Sequence, residues 1–254
     1  DISMHTFIKL SSFEIPTYNI LSVIAYAVGI FVIFLETERK KFPLETLLYI
    51  LLGALLGGLI GSRVGSAIFV YWDYYSHDIL KLLVPVVGGK TLIGGLIGGY
   101  LGVVVTKKIL KFTRSTGDLF APALAIGIAI GRIGCFFNGC CYGIKTSLPW
   151  GVDFKGVIRH PTQIYESVFC FILFAYLWAI RTKVKREGDL FKMFLLSYSF
   201  FRFWIEFIRA DVVSFMFGLS YAQFICMVVF VVIGIYFVKV NVNTNAMKNE
   251  RGIS

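Results

Sequence analysis

Seven apolar stretches, each about long enough to cross a lipid bilayer, dominate this 254-residue chain. Hydrophobic residues make up 57% of it and charged residues 16%, against roughly 25% charged in an average soluble domain. The sequence therefore predicts an all-α integral membrane protein in which residues 1–254 form a single transmembrane domain. We expect about seven transmembrane helices near residues 18–35, 47–69, 82–105, 119–137, 164–180, 190–208 and 219–237.

Basic residues collect in every second connection between these segments, after the first, third, fifth and seventh. Because short basic loops remain in the cytoplasm, the pattern predicts an N-terminus outside and a C-terminus in the cytoplasm. The net charge of +10 follows from this topology. No nucleic-acid partner is predicted, since the cations are divided among separate loops. They are Arg39, Lys40, Lys41, Lys107, Lys108, Lys111, Arg114, Arg181, Lys183, Lys185, Arg186, Lys239, Lys248 and Arg251.

The two ends of the chain carry little sign of membrane structure. No cleavable signal peptide is expected, because a charged loop and a second helix follow the first apolar stretch. Residues 1–3, which precede Met4, are expected to be an artificial extension. Residues 241–254 are polar and are predicted to form a flexible cytoplasmic tail.

The sequence GRIGCFFNGCCYG at residues 131–143 places polar groups among glycines where an apolar segment ends. Arg132 offers a planar, forked cation that suits a phosphate group. Asn138 both donates and accepts hydrogen bonds, and Gly139 and Gly143 allow close approach of a ligand to the backbone. The pattern predicts recognition of a phosphate group at a membrane face.

Cys135, Cys140 and Cys141 lie within the same stretch. Structural zinc sites use four ligands at suitable spacing, and the sequence shows no matching CxxC pair or nearby histidine. We therefore predict no metal and no cofactor. Small buried thiols and a redox-sensitive bridge involving Cys135 are the alternatives.

Four polar residues recur on the sixth segment at spacings of four, four and three, which places them on one helical face. They are Tyr198, Arg202, Glu206 and Arg209. A purely structural ion pair between Arg202 and Glu206 is one interpretation. We favour an outward-facing polar cavity, because Arg63 and Arg132 are predicted at a similar depth and the arginines outnumber the glutamate. Such a cavity would attract an anionic ligand.

Two further features lie at the predicted outer face. Gly94 and Gly95 belong to a run of small residues on the third segment, which indicates close helix packing or a backbone surface open to a lipid head group. His160 stands just before Pro161 at the start of the fifth segment. It is either an ordinary loop histidine or a proton acceptor near neutral pH.

Six motifs in order along the chain resemble the bacterial phosphatidylglycerol–prolipoprotein diacylglyceryl transferase family, and Gln223 follows them. The motifs are IPTYNIL from residue 15, GSRVG from 61, GGKTLIGGLIGG from 88, GRIGCFFNG from 131, RHPTQIYES from 159 and YSFFRFWIEFIRAD from 198. The resemblance implies transfer of a diacylglyceryl group from phosphatidylglycerol to the lipobox cysteine in the signal peptide of a prolipoprotein, with release of glycerol phosphate. It also implies a multi-pass protein of the bacterial inner membrane.

The resemblance, together with the residue patterns above, gives a set of candidate site residues. The candidates for catalysis are Arg132, Arg202, Tyr198, His160 and Glu206. The candidates for substrate binding are Tyr18, Arg63, Gly94, Gly95, Asn138, Gly139, Gly143, Arg209 and Gln223.

One departure from the family concerns the group that would accept the proton of the acceptor thiol. Where the family usually has histidine before the Gly-Gly pair, this chain has Ile93, and Cys135, Cys140 and Cys141 replace other residues of its asparagine-rich core. Either His160, Tyr198 or Glu206 activates the thiol, or the acceptor differs. A non-catalytic binder or transporter of anionic lipid is a third hypothesis, although no internal repeat supports it.

Overall fold

The computed structural model describes residues 7–10, 13–69, 72, 91–212 and 214–250. Seven long helices follow one another in these ranges. They are α1 (Thr17–Lys40), α2 (Leu44–Phe69), α3 (Leu92–Ile109), α4 (Gly117–Phe137), α5 (Thr162–Ile180), α6 (Asp189–Ile205) and α7 (Tyr221–Glu250). A short 3-10 turn, Glu206–Ile208, continues α6. The prediction of an all-α protein is confirmed.

Each predicted segment overlaps one of these helices, although several bounds differ. Helix α1 continues to Lys40, where the Glu36 carboxylate pairs with Arg39 one turn later. Residues 82–90 of the predicted third segment lie outside the described residues. Helix α7 continues to Glu250, into the segment predicted as a flexible tail.

Five helices of the described part are long and apolar enough to cross a membrane, namely α1, α2, α4, α5 and α7. Helix α6 is shorter, at 17 residues, and buries both an acidic and a basic residue, Asp189 and Arg202. Its polar side chains lie against other helices of the protein, as charges in a membrane require. The chain is therefore a multi-pass membrane protein.

Three small antiparallel hairpins accompany the helices. They are β1 (Phe7–Leu10) with β2 (Phe13–Pro16), β3 (Val152–Phe154) with β4 (Val157–Arg159), and β5 (Ser214–Met216) with β6 (Leu219–Ser220). The turn of the second hairpin has positive φ at Lys155 and Gly156, as tight hairpin turns require. The Gly156 amide donates to Asp153 Oδ1 at 2.7 Å. The long apolar segments that predict the helices do not predict these short strands.

The chain divides into two compact units. Unit 1 comprises Asp1–Ile33 and Ser115–Ser254, and unit 2 comprises Phe34–Arg114. In unit 1, α4 packs against α5 and α6, and α6 packs against α7. In unit 2, α2 and α3 approach so closely that a Cβ atom added to Gly57 would lie 2.3 Å from the Gly98 carbonyl oxygen. Small residues thus set the spacing of that helix pair.

Candidate active site

Three helices of unit 1 bring Arg132, Glu166 and Tyr198 together in a buried centre. Arg132 Nε lies 2.9 Å from Glu166 Oε2, and the Tyr198 hydroxyl donates to Glu166 Oε1 at 2.7 Å. Glu166 is only 2% exposed. Close to this centre, the Ser167 hydroxyl donates to the Ala129 carbonyl at 2.8 Å and ties α5 to α4. A carboxylate is therefore held between a fixed cation and a phenol, away from water.

A second buried ion pair lies at the end of α6. Arg202 Nη1 lies 2.6 Å from Glu206 Oε2, as the predicted four-residue spacing requires. The geometry is that of an ion pair without a well-directed hydrogen bond between those two atoms. The Ser220 hydroxyl donates to the other Glu206 oxygen at 3.0 Å. Glu206 is thus bound to its own helix and to the start of α7.

Gln223 and Ser220 form a capping box at the N-terminus of α7. The Ser220 amide donates to Gln223 Oε1 at 2.9 Å, and the Gln223 amide donates to Ser220 Oγ at 3.1 Å. This reciprocal pair satisfies amides that the first turn of a helix leaves without partners. Gln223 therefore has a structural role here, and its predicted contact with substrate stays a prediction.

Arg209 follows the 3-10 turn and forms two hydrogen bonds with Asp211, at 3.0 and 2.8 Å. Its Nε also lies 3.8 Å from Glu206 Oε2. Burial acts to lower the pKa of Arg209, but the Asp211 hydrogen bonds raise it above the usual value. The Asp211 side chain is 43% exposed, so this pair lies at the rim of the site.

The expected surplus of positive charge does not arise among the three site arginines of unit 1, because Arg132, Arg202 and Arg209 each lie beside a carboxylate. The prediction weighed the arginines against Glu206 alone. In the structure Glu166 pairs with Arg132, and Asp211 pairs with Arg209. The correction follows from the high cost of burying an unpaired guanidinium in hydrocarbon.

The segment after Arg132 ends α4 with a glycine cap. Gly139 has φ of 63°, its amide donates to the Phe136 carbonyl at 3.0 Å, and the Cys140 amide donates to the Cys135 carbonyl at 3.2 Å. These two bonds define a Schellman motif. Asn138, the residue before the glycine, is exposed.

Gly143 lies where the backbone pairs with two other segments. Its amide donates to the His160 carbonyl at 2.8 Å, and it forms a β-bridge with Arg209. A Cβ atom at Gly143 would lie 2.6 Å from His160 Cβ and 2.7 Å from the Ile208 carbonyl oxygen. Only glycine fits this position, which connects the loop after α4 to the end of α6.

His160 is half-buried beside the start of α5. Its Nδ1 lies 3.2 Å from the Tyr165 hydroxyl, which also accepts a hydrogen bond from Trp150 Nε1 at 2.8 Å. The ring thus has a polar partner, and its predicted role as a proton acceptor stays a prediction.

The three loop cysteines form a cluster of thiols. The sulfur atoms of Cys135, Cys140 and Cys141 all lie within 4.8 Å of one another, and each residue is half-buried. Hydrogen bonds with the other two thiols, then the positive charges of Arg209 and Arg132, lower the pKa of the Cys141 thiol. The sequence places these cysteines in one stretch, and the glycine cap brings their sulfur atoms together by folding the chain back onto the helix end.

The remaining predicted residues fall in both units. In unit 1, the Tyr18 ring packs against Gly134 of α4, with Cδ2 3.4 Å from the position of an added Cβ atom. In unit 2, Arg63 lies on α2. The surface of Gly94 is covered by α2, since an added Cβ atom would lie 2.4 Å from the Gly61 carbonyl oxygen, whereas Gly95 has its nearest neighbour at 3.5 Å. Substrate binding by these residues stays a prediction.

Sequence reasoning missed Glu166 and Gln163 as site residues. Gln163 is 1% exposed, and its Nε2 donates to the Cys140 carbonyl at 2.6 Å. The two residues stand three apart in RHPTQIYES, at the start of an otherwise apolar helix. A buried carboxylate in a predicted membrane helix is a functional signal by itself, and it was available in the sequence.

Comparison with known proteins confirms the resemblance. The family described as prolipoprotein diacylglyceryl transferase matches residues 5–239. A phosphatidylglycerol–prolipoprotein diacylglyceryl transferase of Finegoldia magna is 33% identical over 201 residues, covering 78% of this chain and 80% of the relative. The enzyme of the same name from Clostridioides difficile is 34% identical over 222 residues, covering 86% and 88%. That from Geobacter sulfurreducens is 32% identical over 210 residues, covering 80% and 81%. This chain belongs to the prolipoprotein diacylglyceryl transferase family.

Proposed function

We propose that this chain transfers a diacylglyceryl group from phosphatidylglycerol to the cysteine thiol of a prolipoprotein and releases glycerol phosphate. The sulfur attacks the glyceryl carbon that bears the phosphate, and the carbon–oxygen bond breaks with its electron pair passing to the leaving phosphate. The thiol proton is given up in the same reaction. The products are a thioether-linked diacylglyceryl protein and glycerol phosphate.

The observation that carries this proposal is the buried centre of Arg132, Glu166 and Tyr198. Negative charge develops on the phosphate oxygen as the bond breaks, and a cation fixed in a dry site stabilises it without reorganising. Glu166 holds the Nε edge of Arg132, so the terminal guanidinium nitrogens are the donors that a phosphate would meet. A forked, permanently charged group suits that task.

The other charged residues have supporting roles in the proposal. Arg202, held by Glu206, is the second cation for the phosphate. Arg209 at the rim would exchange its exposed partner Asp211 for an incoming head group. Asn138 and Gly139 lie at the end of α4. In the proposal, the side-chain amide of Asn138 and the backbone carbonyl of Gly139 form hydrogen bonds with the glycerol hydroxyl groups.

Three residues are candidates for accepting the thiol proton, and each has a defined partner. The Tyr198 hydroxyl donates to Glu166, Glu206 accepts from Ser220, and the His160 ring contacts the Tyr165 hydroxyl. Of these, His160 is outside the two buried ion pairs. An imidazole there is suited to serve as the general base.

The acceptor is a prolipoprotein signal peptide with a lipobox cysteine, presented at the outer face of the bacterial inner membrane. The alternation of basic loops supports this orientation, with the N-terminus outside and the C-terminus in the cytoplasm. Membrane lipids surround the helices and supply the phosphatidylglycerol.

A different acceptor is the second candidate function, and Ile93 favours it. Isoleucine cannot take a proton where the family usually has histidine, so thiol activation at that position is lost. Binding or transport of an anionic lipid without chemistry is the remaining alternative.

One reaction separates these functions. Purified protein is incubated with labelled phosphatidylglycerol and a lipobox peptide, and both products are measured by mass. Transfer predicts a peptide heavier by one diacylglyceryl group, equimolar glycerol phosphate, and no product from a peptide with serine in place of cysteine. Product from the serine peptide would indicate another acceptor class, and absence of both products would indicate binding or transport.

A further inference from the structure

The thiol cluster of Cys135, Cys140 and Cys141 has the size of a metal site. A zinc–sulfur bond is about 2.3 Å long, so three sulfur atoms on one tetrahedral ion lie about 3.8 Å apart. The sulfur atoms here all lie within 4.8 Å of one another. A contraction of about 1 Å at most would bring all three onto one ion.

The backbone around the cluster is fastened at several points. The Cys140 amide donates a hydrogen bond to the Cys135 carbonyl in the helix cap. The carbonyls of Cys140 and Cys141 accept hydrogen bonds from Gln163 Nε2 at 2.6 Å and Thr162 Oγ1 at 2.7 Å. Both donors are buried on α5, so the loop that carries two of the thiols is held in place.

The thiols differ from the other cysteines of the described chain in their accessibility. Cys135, Cys140 and Cys141 are half-buried, whereas Cys170 and Cys226 are buried. Simple core packing would bury all five alike. A disulfide would use two thiols and leave the third without a role, whereas one ion engages all three.

The cluster lies beside the proposed phosphate site. Cys135 follows Arg132 by three residues on α4, so the two side chains lie on neighbouring turns of the same helical face. A ligand bound at the cluster would therefore be close to the group that holds the leaving phosphate.

We propose that Cys135, Cys140 and Cys141 bind one Zn²⁺ whose fourth coordination position takes the acceptor thiol. Catalytic zinc sites use three protein ligands and leave a position for water or substrate. The prediction of no metal required a fourth ligand from the protein, which a site of this type does not need. This inference rests on the proposed transferase function, and it gives a means of activating the thiol that does not need a histidine at position 93.

The step balances without a redox partner. A thiol that coordinates zinc is deprotonated, and its proton passes to solvent. The zinc-bound sulfur attacks the glyceryl carbon, and the electron pair of the breaking carbon–oxygen bond leaves with the phosphate. The thioether formed is a weaker ligand than a thiolate and is released, while glycerol phosphate takes up a proton from solvent.

Metal content is the first test. Protein purified in the presence of Zn²⁺ without a chelator should contain one zinc per chain by elemental mass spectrometry. Cys135→Ala, Cys140→Ala and Cys141→Ala should each lower this at least fivefold, and Cys170→Ala and Cys226→Ala should not change it. Zinc below 0.2 per chain in wild type, or unchanged zinc in the three variants, would overturn the proposal whether or not the protein is active.

Cobalt gives a readout of thiol binding that does not depend on turnover. The Co²⁺-substituted protein should show thiolate-to-cobalt charge-transfer absorption, and a lipobox peptide should increase it where the matched serine peptide does not. An identical spectrum with both peptides would overturn binding of the acceptor thiol.

Removal of the metal separates this inference from the transferase function. A strong chelator should abolish peptide lipidation, and added Zn²⁺ should restore it. Full activity of metal-free protein would overturn the inference and leave the transferase function standing. Zinc and the peptide-dependent cobalt spectrum without any lipidated product would instead contradict the transferase function and support the site.

Discussion

At the scale of single residues, each buried charge in the described part of unit 1 has a partner that also positions it. Arg132 and Tyr198 share Glu166, and Arg202 shares Glu206 with Ser220. Removing one member of a buried pair leaves the other without compensation in a medium of low dielectric constant. Substitutions at these positions are therefore expected to divide into those that affect catalysis and those that affect folding.

The Tyr198 hydroxyl is expected to affect catalysis more than folding. Tyr198→Phe keeps the ring stacked on Phe194, at 5.7 Å between centroids, and removes only the donor to Glu166. We expect kcat to fall about 10²-fold and the free energy of unfolding to fall by about 1 kcal/mol. Steady-state kinetics and detergent-phase melting measure the two effects.

The control for that substitution is Tyr176→Phe, which removes the hydroxyl of an exposed tyrosine on α5. It should change neither quantity. A Tyr198→Phe enzyme with the wild-type kcat would show that the phenol is only a packing group.

Glu206 is expected to affect folding strongly. Glu206→Gln leaves the Arg202 guanidinium buried without a counter-charge and weakens the acceptor for Ser220. We expect the free energy of unfolding to fall by about 3–5 kcal/mol. Unfolding in mixed detergent micelles measures it, with Glu38→Gln on the exposed end of α1 as the matched substitution. Equal stability of the two variants would contradict the role given to the ion pair.

At the scale of elements, two backbone devices position the site. The Schellman motif at Gly139 ends α4 and brings Cys140 over Cys135, and the capping box of Ser220 and Gln223 begins α7. Each uses a short local sequence, NG in the first case and SYAQ in the second. Helix ends, rather than helix interiors, thus carry much of the site.

The packing of α2 on α3 is expected to tolerate no side chain where the glycines bring the two backbones into contact. In Gly98→Ala the added Cβ atom would lie 2.2 Å from the Gly57 carbonyl oxygen, so the two backbones must move apart. We expect a loss of about 1–3 kcal/mol in the free energy of unfolding. Gly58→Ala is the matched control, because its nearest neighbour is at 3.5 Å. A stable Gly98→Ala variant together with a destabilised Gly58→Ala variant would contradict the conclusion that Gly98, rather than Gly58, lies at the closest approach of the two helices.

The sequence predicted the helices because a membrane segment must be apolar along its whole length, which leaves a strong signal. It also offered the Arg202–Glu206 pair as one of two interpretations, since both residues lie four positions apart and the spacing fixes their separation. The Arg132–Glu166 pair joins two helices, so no residue spacing along the sequence predicts it. The sequence placed the three cysteines in one stretch, but the distances between their sulfur atoms depend on the reversal of the chain at Gly139. The resemblance named the candidate catalytic arginines Arg132 and Arg202 but not Glu166, the carboxylate that pairs with Arg132.

At the scale of the whole molecule, the proposal requires that the loop after α4 faces the exterior. That loop includes the exposed residue Ser147, and the basic connection after α5 includes the exposed residue Thr182. An orientation with basic loops inside places these two residues on opposite sides of the membrane.

Labelling of intact cells tests this orientation. In Ser147→Cys a membrane-impermeant maleimide of high mass should add to the protein beyond the wild-type background. In Thr182→Cys the added mass should appear only after the membrane is opened. The reverse pattern would mean that the chain is inverted and that the proposed acceptor meets it from the cytoplasm.

The central claim is that buried arginines stabilise the leaving phosphate, and the rate of glycerol phosphate release by Arg132→Ala tests it most directly. Rates are measured per mole of folded protein, with Arg132→Lys as a second variant that keeps the charge and with Arg186→Ala as a control outside the site. We expect Arg132→Ala to lose about 10²–10³-fold in rate while it still inserts into membranes. Arg132→Lys should recover little of that loss, because a lysine lacks the forked geometry. A rate of glycerol phosphate release from Arg132→Ala equal to that of the wild type would contradict the assignment of this centre to catalysis.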